Sequence, residues 1–280
     1  MIPADFDYAA PSSLAEALQL LSDHQDDAKL LAGGHSLVPI MKLRLASPGM
    51  LIDLGRISEL RGIAQDGQRL RIGAMTTHAE IAASGLVAQA APALAQAAHE
   101  IGDRQVRARG TIGGSLAHSD PAADLPAAML ALDAEMVARS TRGERTISAE
   151  AFFTGLLETA LAPDEIITAV TVAVSPRSVY VKFPNPASHY AIAGVCAAVQ
   201  GNGSVSTARI GVTGAAPMAY RATAAEAALA GQALSAQSIA AAADAAYDGR
   251  ELLGDIHASA EYRAALVKVL TKRALEQIPA

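Results

Sequence analysis

The sequence predicts an α+β fold, and three observations carry that prediction. Short apolar runs broken by glycine and helix-capping residues fill the first part of the chain, three extended runs cluster between residues 180 and 212, and helical patterns follow that cluster. Strands succeeded by helices, without strict alternation, are the mark of α+β architecture. At 280 residues and 51% hydrophobic, the chain has material for two or three compact units.

In chain order, Ser13-Leu14-Ala15-Glu16 reads as a capping box, with Leu14, Ala17, Leu18 and Leu21 at helical spacing behind it, so a first helix ends near Asp23. Lys29-Leu30-Leu31-Ala32, Leu51-Ile52-Asp53-Leu54 and Leu70-Arg71-Ile72-Gly73 read as strands. Thr77-His78-Ala79-Glu80 is a second capping box opening a short helix, and an alanine-rich helix is expected from about Leu86 to Ile101. Asp124-Leu125-Pro126 has the order of a helix start, with proline in the first turn. Residues 135–140 and 145–147 flank Thr141-Arg142-Gly143-Glu144 as a hairpin, and Ile166, Thr168, Val170, Val172 and Val174 alternate as a strand with two distinct faces. Pro176 marks the principal boundary. Beyond it, residues 180–183, 191–199 and 205–212 read as strands, the last two joined by Gly201-Asn202-Gly203. A helix opens at the capping box Thr223-Ala224-Ala225-Glu226, and another runs from about Ser259 to Glu276.

Composition removes several classes of function. A net charge of −6, no cluster of Lys or Arg, and no Trp argue against nucleic acid as a partner. No window approaches the roughly 20 apolar residues of a membrane-spanning helix, so direct membrane insertion is not expected. Residues 1–8 carry Asp5 and Asp7 and no apolar run, which reads as no signal peptide and a cytoplasmic location. The single cysteine, Cys196, excludes an internal disulfide and a cysteine-ligated cluster held by this chain alone, and its apolar surroundings make it a core residue.

Two double-glycine turns stand out: Ala32-Gly33-Gly34-His35-Ser36 and Thr111-Ile112-Gly113-Gly114-Ser115. Each is read as following an apolar extended run, and together they can hold one diphosphate from both sides. Glycine lets backbone N–H groups approach an anion and tolerates positive φ, while Ser36, Thr111 and Ser115 supply hydroxyls. The segment His118-Ser119-Asp120-Pro121-Ala122-Ala123-Asp124 concentrates further chemistry and has three readings: a metal site, an acid/base site, or a turn at Asp120 with Asp124 as helix N-cap. His35 is a candidate base or a contact to a bound cofactor. Gly-x-Ser-x-Gly, Gly-x-Gly-x-x-Gly and Walker sequences are absent, so neither a hydrolase elbow, a Rossmann site nor an NTPase is supported. Lys42 and Arg44 read as solvated charges.

Leu31-Ala32-Gly33-Gly34-His35-Ser36-Leu37-Val38-Pro39 with Met41-Lys42-Leu43-Arg44, then Leu51-Ile52-Asp53-Leu54, then Thr111 through His118 with Asp120-Pro121 and Asp124-Leu125-Pro126, resemble the FAD-binding medium subunit of the molybdenum hydroxylases, the carbon monoxide dehydrogenase and xanthine dehydrogenase type. Tyr180-Val181-Lys182-Phe183 and Tyr190-Ala191-Ile192-Ala193 extend the resemblance over essentially the whole chain. The resemblance implies an FAD-binding fold of the vanillyl-alcohol-oxidase or p-cresol-methylhydroxylase type in two subdomains, 1–56 and 57–175, then a small domain of antiparallel strands and helices, 176–280. It implies FAD as cofactor. Leu30, Leu31, Ala32, Gly33, Gly34, His35, Ser36 and Leu37, with Thr111, Ile112, Gly113, Gly114 and Ser115, would surround its diphosphate. Asp124 would lie near the adenosine end, Ile101 and Ile167 would pack on the cofactor, Lys182 would contact it, and Tyr190 would stand near the isoalloxazine ring. No catalytic residue or metal ligand is assigned to this chain.

The implied role is electron transfer: FAD takes electrons from [2Fe-2S] clusters of a small partner subunit and passes them to an external acceptor. A larger partner would carry the molybdenum cofactor, in a dimer of heterotrimers. The alternative is a free-standing FAD-dependent oxidase or dehydrogenase of the same fold, for which only His189 and Tyr190 offer an acid/base pair; a cofactor-free scaffold is a third reading. Two positions depart from the family pattern. Pro184-Asn185-Pro186-Ala187-Ser188-His189 replaces a stretch that often carries arginines and an aspartate, and Ser115 stands where many relatives have asparagine.

Overall fold

Three larger sheets and one two-stranded pair carry the chain, and the first sheet is parallel because helical crossovers join its three strands. The structure is a computed structural model that describes residues 2–24 and 27–279. Asp7–Ala9 (β1), Ala28–Leu31 (β2) and Met50–Asp53 (β3) pair in the order β1-β3-β2, with Leu14–Asp23 (α1) and Leu37–Lys42 (α2) between them. The apolar stripe of α1, Leu14, Ala17, Leu18 and Leu21, is buried with Ile52, Leu54 and Leu60. Its capping box is one-sided: Ser13 accepts from the Glu16 N–H at 3.2 Å, whereas the Glu16 carboxylate takes the N–H of Ser12, one residue early.

The second sheet is antiparallel. Ile63–Asp66 (β4) and Arg69–Gly73 (β5) precede a run of short helices, namely His78–Ala83 (α3), Gly85–Ala90 (α4), Pro92–Glu100 (α5), Arg104–Arg109 (α6), Ile112–His118 (α7) and Leu125–Ala131 (α8). Glu135–Ser140 (β6), Gly143–Ser148 (β7) and, after a short turn of helix at Ala149–Phe152 (α9) and a separate two-stranded pair of Phe153–Gly155 (β8) and Glu158–Thr159 (β9), Ile166–Ala173 (β10) complete the sheet in the order β4-β5-β10-β6-β7. The hairpin expected at 141–144 forms, with Gly143 already paired to Ser140. The capping box at Thr77 is complete in both directions.

Three expectations need correction here. The alanine-rich helix of 86–101 is two helices, because Pro92 lacks an N–H and pushes Ala91 out of helical geometry, to φ −150° and ψ 68°. The strand expected from the alternation at 166–174 forms as β10, the middle strand of five, with all but two of its residues buried. The second glycine pair does not follow an extended run; α6 precedes it, and Gly113 and Gly114 lie in the first turn of α7 with Thr111 as N-cap. Asp124 does not cap α8, for its side chain makes no bond to the helix and is engaged elsewhere.

Ser178–Pro184 (β11), Ala191–Gln200 (β12), Thr207–Thr213 (β13) and Tyr220–Arg221 (β14) form the third sheet, antiparallel and in sequence order, backed by Thr223–Leu229 (α10), Ala236–Asp244 (α11) and Ala260–Glu276 (α12). Thr223 is inside α10 and caps nothing; Glu226, its expected partner, accepts instead from the Ile210 N–H at 2.8 Å and from Arg221. Ser259 caps α12 as expected, and Cys196 is fully buried in β12. No helix of the described residues is long and apolar enough to cross a membrane.

The third sheet is tied to the rest of the chain by a buried polar cluster. Tyr180 and Lys182, two apart on β11 and therefore on one face, both reach Asp124. The phenol donates at 2.5 Å, and the Lys182 ammonium donates to both carboxylate oxygens at 2.9 and 3.0 Å and to the Glu100 carbonyl at 2.7 Å. Burial pushes the Asp124 carboxyl up, against the opposing pull of Lys182 and Tyr180. Burial and the adjacent carboxylate raise the Tyr180 phenol well above its ordinary range. Removing one member strands a buried charge. Lys182→Met is expected to destabilise the chain by about 3–5 kcal/mol, and Asp124→Leu added to it to recover much of the loss. Urea unfolding decides: a single variant within about 0.5 kcal/mol of the parent would show that the cluster does not hold the sheet.

Candidate functional site

The first glycine loop leaves β2 and enters α2, and its geometry follows from its two glycines. Gly34 has φ +75°, a conformation that side chains resist. Gly33 is needed for contact: a β-carbon there would collide with the carbonyl of Arg109, so the loop lies backbone on backbone against the segment before α7. On that segment Gly110 faces the ring of His78, whose Cδ2 and Nε2 stand 2.7 and 2.8 Å from where a β-carbon would be. Gly113 approaches Ala74, just beyond β5, in the same way, at 2.6 Å from its Cβ.

These contacts wall a cavity of about 630 Å³, within the range that takes a cofactor. The structure brings to it Leu30, Ala32, Gly33, Gly34, His35, Ser36 and Leu37 from one side and Thr111, Gly113, Gly114 and Ser115 from the other. Ile101, Asp124, Ile167 and Tyr190 complete the set of sequence-named residues that line it. Leu31, Ile112 and Lys182 do not line it. Ile112 is buried in the core beneath, and Lys182 reaches the cavity only through Asp124.

The two glycine segments are not equivalent. In the second, the N–H groups are taken within the chain: Ile112 by the Thr76 carbonyl, Gly113 by Ala74, Gly114 by the Thr111 hydroxyl and Ser115 by the Thr111 carbonyl. In the first, no hydrogen bond among the described residues takes the N–H groups of Gly34, His35, Ser36 or Leu37. The symmetric cradle expected from the sequence is therefore one donor loop facing a packed wall. His35 folds back on its loop, its Nδ1 3.1 Å from the Gly33 carbonyl.

Asp120 resolves as a turn former, accepting from the Ala122 N–H at 2.8 Å before α8. In the departing segment 184–189, Asn185 accepts from the N–H groups of Ala187 and Ser188, while its own N–H donates to the Tyr190 carbonyl. That turn carries Tyr190 to the cavity rim, where it is 44% exposed.

Sequence reasoning missed several lining residues: Ala74, Met75, His78, Gly110, Leu161 and Glu165. Glu165 is held below the usual carboxylate range by Arg145, which donates to it at 2.6 Å. His78 stood inside a capping box and was read only as helix. It is 4% exposed, its Nδ1 has no partner, and burial, with His35 and Arg107 nearby, lowers its imidazole to about 4.

Comparison with known proteins gives the chain's relatives. A family profile described as "FAD binding domain in molybdopterin dehydrogenase" matches residues 4–174, and "CO dehydrogenase flavoprotein C-terminal domain" matches residues 178–278. The chain is 42% identical over 279 residues to the carbon monoxide dehydrogenase medium chain of Hydrogenophaga pseudoflava, covering 98% of this chain and 97% of that one. It is 40% identical to the 6-hydroxypseudooxynicotine dehydrogenase complex subunit alpha of Paenarthrobacter nicotinovorans, covering 98% and 95%. A solved structure of the Hydrogenophaga pseudoflava carbon monoxide dehydrogenase, lacking the Mo-pyranopterin moiety, superposes with a TM-score of 0.95 at 44% identity, over 99% of this chain and 98% of that one.

Two outcomes are expected. Gly33→Val should abolish cofactor uptake by forcing the loop off Arg109, and Gly34→Val should do so through φ strain; full uptake by either variant, measured by equilibrium dialysis, would contradict the donor-loop geometry. His78 should also make stability depend on pH. Above pH 6.5 its ring is neutral folded and unfolded; below that the unfolded chain takes up a proton that the folded ring refuses until about pH 4. Stability is thus lost as pH falls through this window, by about 3 kcal/mol at 1.36 kcal/mol per unit. Denaturant unfolding between pH 7 and pH 4 should show a shallower slope for His78→Leu, and equal slopes would refute the buried neutral ring.

Proposed function

Because this chain belongs to the family of FAD-binding medium subunits of the molybdenum hydroxylases, FAD-containing oxidoreductase components, we propose that it is the electron-transfer subunit of such an enzyme in the cytoplasm. When bound, FAD supplies the redox chemistry, receiving electrons from [2Fe-2S] clusters of a small partner subunit and yielding them to an external acceptor. A large partner subunit holds the molybdenum cofactor and selects the substrate, in a dimer of heterotrimers. The chain's one cysteine supports this division, because a four-cysteine cluster has to come from another polypeptide.

The observation that carries the reading is the donor loop, whose N–H groups at 34–37 have no partner among the described residues and lie beside a cavity of cofactor size. This loop orients the diphosphate, and the wall at 111–115 excludes water behind it. Asp124, fixed by Lys182 and Tyr180, presents a carboxylate edge to the adenosine end. Ile101 and Ile167 pack on the cofactor, and Tyr190 covers the isoalloxazine ring from the rim. Residues 1–56 and 57–175 form the two cofactor-binding subdomains, and residues 176–280 close the cavity with the 184–190 turn.

The purified protein should be yellow and release one FAD per chain on heat denaturation, identified by chromatography. It should co-purify with an iron–sulfur and a molybdenum subunit when their genes are co-expressed. A folded, colourless protein that takes up no added FAD, alone or with those partners, would overturn the proposal.

A further inference from the structure

His78 makes no hydrogen bond that accounts for its burial. Nδ1 has no partner and no access to solvent, although the ring lines the cavity. Orphaned buried donors are rarer than orphaned acceptors, so the single proton of the neutral ring belongs on Nε2. The Nε2–Cδ2 edge packs against Gly110, which also lines the cavity, and a β-carbon at that position would collide with it. Gly110 is itself in contact with Gly33, where a β-carbon would stand 2.7 Å from the Gly110 Cα, so this edge lies beside the loop that leads into the donors at 34–37.

We propose that His78 is a binding residue for the FAD diphosphate, donating from Nε2–H to a phosphate oxygen. The inference rests on the FAD reading above and extends it to a residue outside both glycine motifs. A neutral donor suits this position. The buried ring carries no charge that would repel Arg107 before the anion arrives, yet it completes the anion's coordination from the wall whose N–H groups are already taken.

The test compares the full chain, stripped of flavin, in three variants: His78→Leu, which removes the donor without adding bulk; His78→Gln, whose amide nitrogen can stand where Nε2 does; and His78→Asn, whose amide stands where Nδ1 does. Binding of FAD and of riboflavin, which has no phosphate, is read by flavin fluorescence, and the bound diphosphate by phosphorus NMR. FAD affinity should fall about tenfold or more for Leu and Asn and be largely restored by Gln. Riboflavin binding should be unchanged in all three, and the phosphorus resonances should shift between the parent and the Leu variant. Leu variant binding as tight as the parent's, or equal loss of FAD and riboflavin with an unaltered melting temperature, would overturn the assignment. If Leu fails to fold, Gln and Asn decide together: parent-like FAD binding by Gln with loss in a folded Asn variant supports it, and equal binding by the two, or loss of binding in a folded Gln variant, refutes it. Failure of the parent itself to bind FAD would instead refute the FAD reading.

Discussion

One buried carboxylate organises this molecule. Asp124 sits where the second sheet's helices meet the third sheet, and it is the group on which α5, α8 and β11 converge. An isolated carboxylate could not be buried there, because its desolvation cost is several kcal/mol. The Lys182 ammonium and the Tyr180 phenol make it tolerable, and each reaches it only because of the β-period that puts residues 180 and 182 on one face. The strand register does the rest. Lys182 pairs with Gly194 of β12, and a side chain at Gly194 would collide with the Tyr180 hydroxyl on its way to Asp124. A polar contact spanning 56 residues is thus made possible by a missing methyl group on a neighbouring strand.

The cavity depends on the same device. Side chains separate most packed elements, but at Gly33 and Gly113 the backbones themselves meet, against Arg109 and Ala74. Backbone contact is stiffer than contact through rotamers, and it fixes the two cavity walls relative to each other. Asp124, bound to the third sheet, then fixes the far end. A cofactor that spans the cavity therefore finds its contacts already positioned, so little binding free energy is lost to ordering the protein.

Much of this was legible in the residues. The glycine pairs, the capping boxes at Thr77 and Ser259, the hairpin at 141–144 and the strands of the third sheet follow from local chemistry, and local chemistry is what a sequence displays. The break at Pro92 was equally local but was hidden by the alanine-rich pattern around it. What could not be read is long-range satisfaction. Asp124 has the residue type and position of an N-cap, and only the arrival of β11 turns it into a buried partner. Glu226 is the same case, drawn from an expected box with Thr223 to the Ile210 N–H and Arg221. His78 was concealed because the box around it is real, and a correct local explanation left no reason to look for a second one.

The distribution of spent and unspent polar groups then says more about the site than the motifs do. Both glycine segments look alike as sequences, yet the chain consumes the N–H groups of one in its own packing, while those of the other take no partner among the described residues. The second set lies in a half-exposed loop and at the start of α2, where water serves such groups and an anion can replace it. His78 adds an unpaired ring on the consumed side. On the proposal made above, it lets a segment whose N–H groups at 112–115 are taken still contribute to anion binding, through a side chain packed on the glycine that makes room for it. The division of labour so proposed is physical. One wall would bind through its backbone, and the other, having given its backbone to the fold, through a single imidazole.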